Sequence, residues 1–405
     1  MVLLSTLLAS ACGAPQSTSH GGTPSAGTGG FTGVPLAGTA GSNALVGAGG
    51  SAAGAGAAGV PGALAGSGGV VGLGAGGTGG VGGTSGAGGT SGAGGTSGAG
   101  GSGGTGGISG TGGTVGGPLK KFCGNITSRG QVRTDFVNLW DQITPENEGK
   151  WGSVEGTRDQ MNWAGLDAVH TYAKDHGIPF KQHTFVWGSQ QPGWIGGLSQ
   201  ADQRAEVEEW IRLFCERYPD TQLIDVVNEP PPHTTPPYAA ALGGAGASGY
   251  DWIVQAFKWA DQYCPNAILI LNDYNTIEYG NDNTHFIDIV KAIQAAGAPI
   301  DAAGVQAHAA HSVPTATVKM FLDKIATETG LPVYVSEYDI DESNDDTQKQ
   351  VMEEQFTMFW NDENVAGITL WGYVEGQTWL SNSGLMSSGG QQRPAMTWLM
   401  DFLGR

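Results

Sequence analysis

From Phe122 to the C-terminus, short apolar runs alternate with longer segments whose apolar residues recur at helical spacing. The runs at 122–126, 142–144, 180–187, 223–228, 268–272, 303–307, 333–336 and 367–371 are rich in β-branched and aromatic residues and read as buried strands. Between them, Leu166, Val169, Tyr172 and Ala173 share one helical face, as do Val207, Trp210, Ile211 and Phe214. Gly177, Gly297 and Gly330 fall where helix C-caps belong, and Pro179, Pro299 and Pro332 follow them two residues on. Eight strand–helix units of this kind predict an α/β fold, a (β/α)8 TIM barrel. A doubly wound open sheet is the second choice, but it calls for a Gly-rich phosphate turn after the first strand, and none is present.

The pattern stops abruptly on the N-terminal side. Residues 1–118 contain no Asp, Glu, Lys or Arg, so the formal net charge of −19 belongs wholly to residues 119–405. Residues 1–12 are apolar, then small, then Cys, which reads as a lipoprotein-type signal segment with Cys12 as the lipidated residue. Residues 13–118 are mostly Gly, Ala, Ser and Thr, with TSGAGG repeated three times from Thr84 to Gly101. No hydrophobic period there supports a core, and collagen's strict glycine repeat is absent, so a disordered linker is expected. A coil of ~100 residues spans roughly 50–60 Å, enough to hold a folded domain at 119–405 off a cell surface. The expected location is extracellular or cell-surface, with membrane anchoring only through Cys12, and the expected state is a monomer.

The acidity argues against nucleic acid and anionic membranes as partners and fits a secreted enzyme acting on a neutral or weakly charged polymer. Twelve tryptophans exceed what packing alone asks for, and flat aromatic platforms for sugar rings would account for the surplus. Four cysteines make no dense disulfide framework. Cys215 and Cys264 each end a predicted helix and are a possible pair; two buried thiols are the alternative.

In a barrel of this kind, chemistry sits at the C-terminal strand ends. The fourth run ends in Asn228-Glu229-Pro230, and the seventh is followed at once by Glu337, with Asp339 two positions on. Two carboxylates on two strand ends of one barrel are what glycoside hydrolysis needs. Other strand ends supply Glu146, Asn147, Lys150, His183, Trp187, Asn272, Asp273, Tyr274, Asn275, Gln306, His308, Trp371 and Trp379. Each alone fits a packed core; their concentration at one end does not. No histidine pair has the spacing of a zinc site, and neither a metal nor a cofactor is called for.

Six motifs, in order, carry a family resemblance: Thr-Pro-Glu-Asn-Glu-Gly-Lys-Trp at 144–151, His-Thr-Phe-Val-Trp-Gly-Ser-Gln at 183–190, Asp-Val-Val-Asn-Glu-Pro at 225–230, Asn-Asp-Tyr-Asn at 272–275, Gly-Val-Gln-Ala-His at 304–308 and Ser-Glu-Tyr-Asp-Ile at 336–340. Over about residues 120–405 the chain resembles glycoside hydrolase family 10, the endo-β-1,4-xylanases. The resemblance implies a retaining double displacement on xylan or xylo-oligosaccharides, with Glu229 as acid/base and Glu337 as nucleophile. It makes Asn228 the contact to the 2-hydroxyl of the reacting sugar, and His308 the link between Glu337 and Asp339. Glu146, Asn147, Lys150, His183, Trp187, Gln306, Trp371 and Trp379 become sugar contacts, with Trp379 over the C5 side. Two carboxyls ~5–5.5 Å apart do not both ionise cheaply, so a donor on Glu337 favours its charged form and leaves the proton for the acid.

The chain departs from the family pattern in having Gly188 where histidine is usual, Gln182 before His183 where glycine is usual, and an unmatched Pro-, Gly- and Ala-rich segment at 231–250. That segment is expected on the aglycone side. A β-glucanase or cellulase on the same barrel, and an inactive xylan-binding surface protein, are the alternatives; the presence of both glutamates argues against the second.

Overall fold

A computed structural model describes residues 119–405. The expected signal segment with Cys12 and the linker at 13–118 lie outside the described residues. Eight parallel strands run β1 (Cys123–Ile126), β2 (Ile143–Thr144), β3 (Lys181–Trp187), β4 (Leu223–Asn228), β5 (Ile268–Asp273), β6 (Ala302–Val305), β7 (Val333–Tyr338) and β8 (Val365–Leu370). Their order in the sheet is β2-β1-β8-β7-β6-β5-β4-β3. A bridge between Ile143 and Phe180, with the Ile143 N–H donating to the Pro179 carbonyl, joins the two ends, so the sheet nearly closes into the expected barrel. Every expected strand is found within two residues of its place. The sixth ends earlier than its apolar run because Ala307 turns to φ 66°.

The runs are buried on both faces because helices cover the outside. The main covering helices are α1 (Trp151–Val154), α2 (Ala164–His176), α3 (Gln200–Arg217), α4 (Asp251–Tyr263), α5 (Gly280–Ala295), α6 (Thr315–Thr329), α7 (Asp345–Val351), α8 (Thr357–Asn361) and α9 (Pro394–Leu403). In α3, Val207, Trp210, Ile211 and Phe214 are the buried face, and the Ser199 hydroxyl caps the start by accepting from the Asp202 N–H. Gly177 and Gly330 end α2 and α6 in the left-handed conformation, and Gly297 does the same one residue after the cap of α5. A smaller apolar cluster of Phe122, Leu223, Ile270, Ala302 and Tyr334 plugs the barrel near the strand starts, so the polar end is the opposite one.

A single π-helical turn, Met352–Phe356, interrupts α7 and α8. It carries Gln355, whose amide nitrogen donates to the Ala310 carbonyl at 2.6 Å and whose oxygen accepts from the Tyr338 hydroxyl at 3.0 Å. This buried amide ties the end of β7 to the loop after β6, which are the two places that hold Glu337 and His308.

Cys215 in the last turn of α3 and Cys264 at the end of α4 form a disulfide, their Cα atoms 5.2 Å apart; Cys123 is a buried free thiol. The bridge closes a loop of 49 residues, for which chain entropy gives roughly 4 kcal/mol at most. The double variant Cys215→Ala/Cys264→Ala is expected to lose about 2–4 kcal/mol in urea unfolding. Dithiothreitol is expected to lower the Tm of the wild type and leave the double variant unchanged; equal curves for all four samples would show the bridge adds nothing.

Candidate active site

Strand register builds the floor. Trp187, Asn228, Asn272 and Gly304 pair across β3, β4, β5 and β6 at one level. Gly304 is required there: a Cβ on it would lie 2.5 Å from the Asn272 side-chain oxygen. With that space free, Asn272 Nδ2 donates both to Asn228 Oδ1 at 2.8 Å and to Glu337 Oε1 at 2.7 Å, while its Oδ1 accepts from the Ser336 hydroxyl at 2.5 Å. Asn228 in turn approaches Glu229 Oε1 at 3.4 Å, so one chain of amides connects the two glutamates. The sequence placed Asn272 at a strand end without a role; its bridging became visible only when β4, β5 and β7 were brought together.

Around this floor lies a cleft of about 570 Å³. It is lined by Glu146, Asn147 and Lys150 after β2, by His183, Trp187 and Gln190 of β3 and its loop, and by Asn228 and Glu229 of β4. Tyr274, Asn275, Gln306, His308, Glu337, Trp371 and Trp379 complete it. Fourteen of these fifteen were expected at strand ends, Tyr274 and Asn275 without a stated role, and Asp339 stands directly behind His308. Gln190 adds to that set; it lies inside the motif at 183–190, and its presence there was the available signal.

Glu337 is 4% exposed. His308 Nε2 donates to its Oε2 at 3.3 Å, and His308 Nδ1 donates to Asp339 Oδ2 at 3.1 Å. Beneath it, His183 Nδ1 lies 3.9 Å from Oε1 and bonds to Asp225 Oδ2 at 2.9 Å, which Lys181 Nζ approaches at 3.2 Å. Burial alone would push the Glu337 carboxyl up; the His183 and His308 imidazoles and the Lys181 ammonium outweigh it and hold the group at about 2. Burial opposes charging of His308 as well, but Asp339 and then Glu337 raise it to about 10. Glu337 is therefore a carboxylate facing an imidazolium at neutral pH.

Glu229 is held differently. Trp187 Nε1 donates to its Oε2 at 2.8 Å, whereas Gln306 Nε2 stands 3.3 Å from Oε1. Its backbone has φ 51°. Gln190, Asn275 and Ala307 share this left-handed conformation, so four of the seven non-glycine residues with positive φ in the described chain sit around one cleft. Nearby, burial lowers the Lys150 ammonium, against the pull of Glu337, Glu146 and Glu229, and burial raises Glu146 against the pull of Lys150. Lys150 Nζ lies 4.9 Å from the centre of the Trp187 ring.

Two aromatic residues wall the far side. Trp371 is buried edge-on to His183 with ring centres 5.1 Å apart. Trp379 is 55% exposed, and its indole nitrogen donates to Asp339 Oδ2 at 2.7 Å.

The departures from the family pattern have local explanations. The Gln182 amide donates to the Gly149 carbonyl at 2.6 Å and so props the loop that carries Glu146 and Lys150. None of residues 231–250 is among the residues lining this cleft. The segment packs behind it: Tyr238 is buried against Trp151, and His233 stacks under Tyr274 with ring centres 3.8 Å apart while bonding to Asp273 at 2.7 Å. Among the described residues one group, Glu155, Asp159 and Glu206, has oxygens close enough together to take a metal ion. Glu155 already accepts from Trp151 and the Asp159 N–H, Glu206 accepts from Arg158, and all three carboxylates lie outside the cleft. No helix of the described residues is long and apolar enough to cross a membrane.

Comparison with known proteins agrees with this architecture. The family model described as glycosyl hydrolase family 10 matches residues 119–402, and the chain belongs to that family. Over 283 residues it is 52% identical to endo-1,4-beta-xylanase B of Cellvibrio japonicus, a match covering 70% of this chain and 46% of that one, so the chain spans less than half the length of that relative. It is 29% identical over 280 residues to endo-1,4-beta-xylanase A of Caldicellulosiruptor saccharolyticus, covering 62% of this chain and 81% of the relative. Native xylanase 10B from Thermotoga maritima superposes with a TM-score of 0.62 at 22% identity, over 70% of this chain and 95% of that one, which shows the shared fold.

The charges make opposite predictions at the two ends of the pH scale. The folded value of Glu337, about 2, lies below its ordinary 4.5, so its contribution to stability is complete above 4.5 and is lost as pH falls through about 2. That of His308, about 10, lies above its ordinary 6.5, so its contribution is complete below 6.5 and is lost as pH rises through about 10. The Tm difference between wild type and His308→Gln is expected to be largest between pH 4.5 and 6.5 and to shrink toward pH 10. A constant difference across that range would mean that His308 carries no charge.

Proposed function

We propose that this chain is a retaining endo-1,4-β-xylanase that hydrolyses internal bonds of xylan by double displacement. The observation that supports the reading most directly is the unequal treatment of the two carboxyls. Glu337 is buried, takes hydrogen bonds from His308 and Asn272, and is held ionised, as an attacking group must be. Glu229 lies at the cleft wall with a single close donor, Trp187, and is placed to protonate a departing sugar oxygen.

In the first step Glu337 Oε2 or Oε1 attacks the anomeric carbon while Glu229 gives its proton to the leaving oxygen. In the second, Glu229 takes a proton from water, which attacks the same carbon and releases Glu337. Asn228 faces the reacting ring for a bond to its 2-hydroxyl, and Asn272 fixes Asn228 in that attitude. Glu146, Asn147 and Lys150 take the hydroxyls of the next sugar, with Trp187, Trp371 and Trp379 as flat walls. The double displacement uses no cofactor. The apolar-to-small-to-Cys pattern of residues 1–12 and the uncharged composition of residues 13–118 support a lipid-anchored or secreted enzyme working outside the cell.

The test is hydrolysis of xylan, carboxymethyl-cellulose and barley glucan by one purified sample, with early products followed by proton NMR. Reducing sugar is expected chiefly from xylan, with the β-anomer appearing first. Preference for either glucan would replace the xylanase reading by a β-glucanase, no product at all would favour a binding protein, and α-anomer first would remove Glu337 as nucleophile.

Xylose differs from glucose by lacking a hydroxymethyl group at C5. A missing contact of that size is worth only ~1–3 kcal/mol, so preference for xylose requires a wall. The exposed Trp379 ring, fixed by its bond to Asp339, is that wall. Trp379→Ala is expected to lower kcat/KM on aryl xylobioside and to raise the ratio of aryl cellobioside to aryl xylobioside activity. Since the variant also removes a donor from Asp339, a fall in both rates is uninformative by itself; an unchanged ratio would assign Trp379 to holding Asp339 alone.

A further inference from the structure

We infer that Thr234, seated in the space left by Gly188, is a positioning residue that sets the direction of the Glu229 carboxyl. The inference rests on the reading of Glu229 as the acid/base. Residue 188 has no side chain, and Thr234 occupies its place: a Cβ built on Gly188 would lie 2.5 Å from Thr234 Cβ, 2.7 Å from its Oγ1 and 2.9 Å from the Thr235 nitrogen. Any side chain at 188 would expel Thr234, so the glycine and the threonine form a matched pair 46 residues apart.

What Thr234 does in that place is specific. Its hydroxyl donates to the Glu229 carbonyl at 2.6 Å, its backbone N–H donates to the same carbonyl at 3.1 Å, and its hydroxyl accepts from the Gly188 N–H at 3.3 Å. On the other side, the Glu229 N–H donates to the Asn272 carbonyl at 2.8 Å. Both peptide groups of Glu229 are thereby pinned while its backbone stays in the left-handed region, which a glutamate leaves readily when released. Trp187 and Gly188 are neighbours in the chain. The indole of one fixes the carboxyl of Glu229 and the backbone of the other, through Thr234, fixes its main chain.

The side chain of Glu229 cannot supply this by itself. Apart from the Trp187 bond, its contacts to Asn228 and Gln306 are long, at 3.4 and 3.3 Å. The aim of the carboxyl therefore follows the backbone, and displacements of about 1 Å cost on the order of a hundredfold in rate. A displaced acid hurts only reactions that need a proton on the leaving oxygen.

Phenyl β-xylobioside needs that proton and 2,4-dinitrophenyl β-xylobioside does not, so kcat/KM on the pair is the measurement. Thr234→Val is expected to lose about tenfold on the phenyl substrate, a part of the ~10²–10⁴ a general acid contributes, and less than about twofold on the dinitrophenyl one. Thr234→Ser keeps the hydroxyl and is expected to stay within about twofold of wild type on both. Gly188→Ala, which pushes Thr234 out from the opposite side, is expected to repeat the Thr234→Val signature and serves as the test should that variant fail to fold. Equal losses on both substrates, or no loss on either, would overturn the positioning role. Glu229→Ala is run alongside: a large loss on the phenyl substrate alone upholds the acid/base reading whatever Thr234 does, and equal loss on both would overturn that reading itself.

Discussion

A carboxylate buried as deeply as Glu337 is stable only if its charge is matched in place, and much of the site follows from that requirement. His308 supplies a charged donor from above, Asn272 a neutral donor from the side, and the Lys181 ammonium and the His183 ring lie below. Each of these needs its own partner. Asp339 balances His308, Asp225 balances both His183 and Lys181, and Ser336 orients Asn272. The result is a polar column inside the barrel whose members come from five strands or strand ends. A parallel barrel can carry such a column because its register brings residues of different strands to one level.

The two glutamates are held by opposite means. Around Glu337 the fixing groups are side chains, the charged His308 and the neutral Asn272. Around Glu229 the fixing is done largely on the main chain, by Asn272 on its N–H and Thr234 on its carbonyl. This division suits the two roles proposed. A group that must stay ionised is helped by surrounding charge, whereas a group that must exchange a proton is served by a fixed position with few charged contacts. It also gives the unmatched segment at 231–250 a place in the mechanism proposed. The segment supports Glu229 through Thr234 and Tyr274 through His233, both from behind.

The wall of the cleft shows the same economy of parts. Asp339 Oδ2 accepts from both His308 and Trp379, so the residue that tunes the nucleophile also anchors the aromatic ring proposed to select the sugar. Gln355 on its π turn ties the loop after β6 to the end of β7 and keeps His308 and Glu337 in register with each other. Selectivity and charge are thus set by one hydrogen-bonded layer.

The barrel and most of the cleft were legible in the order of apolar and polar residues. Buried parallel strands must be continuous apolar runs, so their ends are visible as abrupt changes to polar residues, and those polar residues are the site. Glu229, Glu337, His308, Asp339 and the tryptophans were legible for that reason. Contacts between distant positions were not. Whether Cys215 met Cys264 depended on how two helix ends approach each other, which no spacing encodes. Gly188 read as a missing side chain because its partner, Thr234, lies in a segment with no strand or helix pattern to place it. Gln182 read as a departure until the Gly149 carbonyl was seen above it, and Asn272 read as one polar strand end among several until Gly304 cleared its path to Glu337. Local pattern records which residues a strand buries or exposes; only the closed barrel decides which of the exposed ones share a hydrogen bond, because that depends on the register between strands.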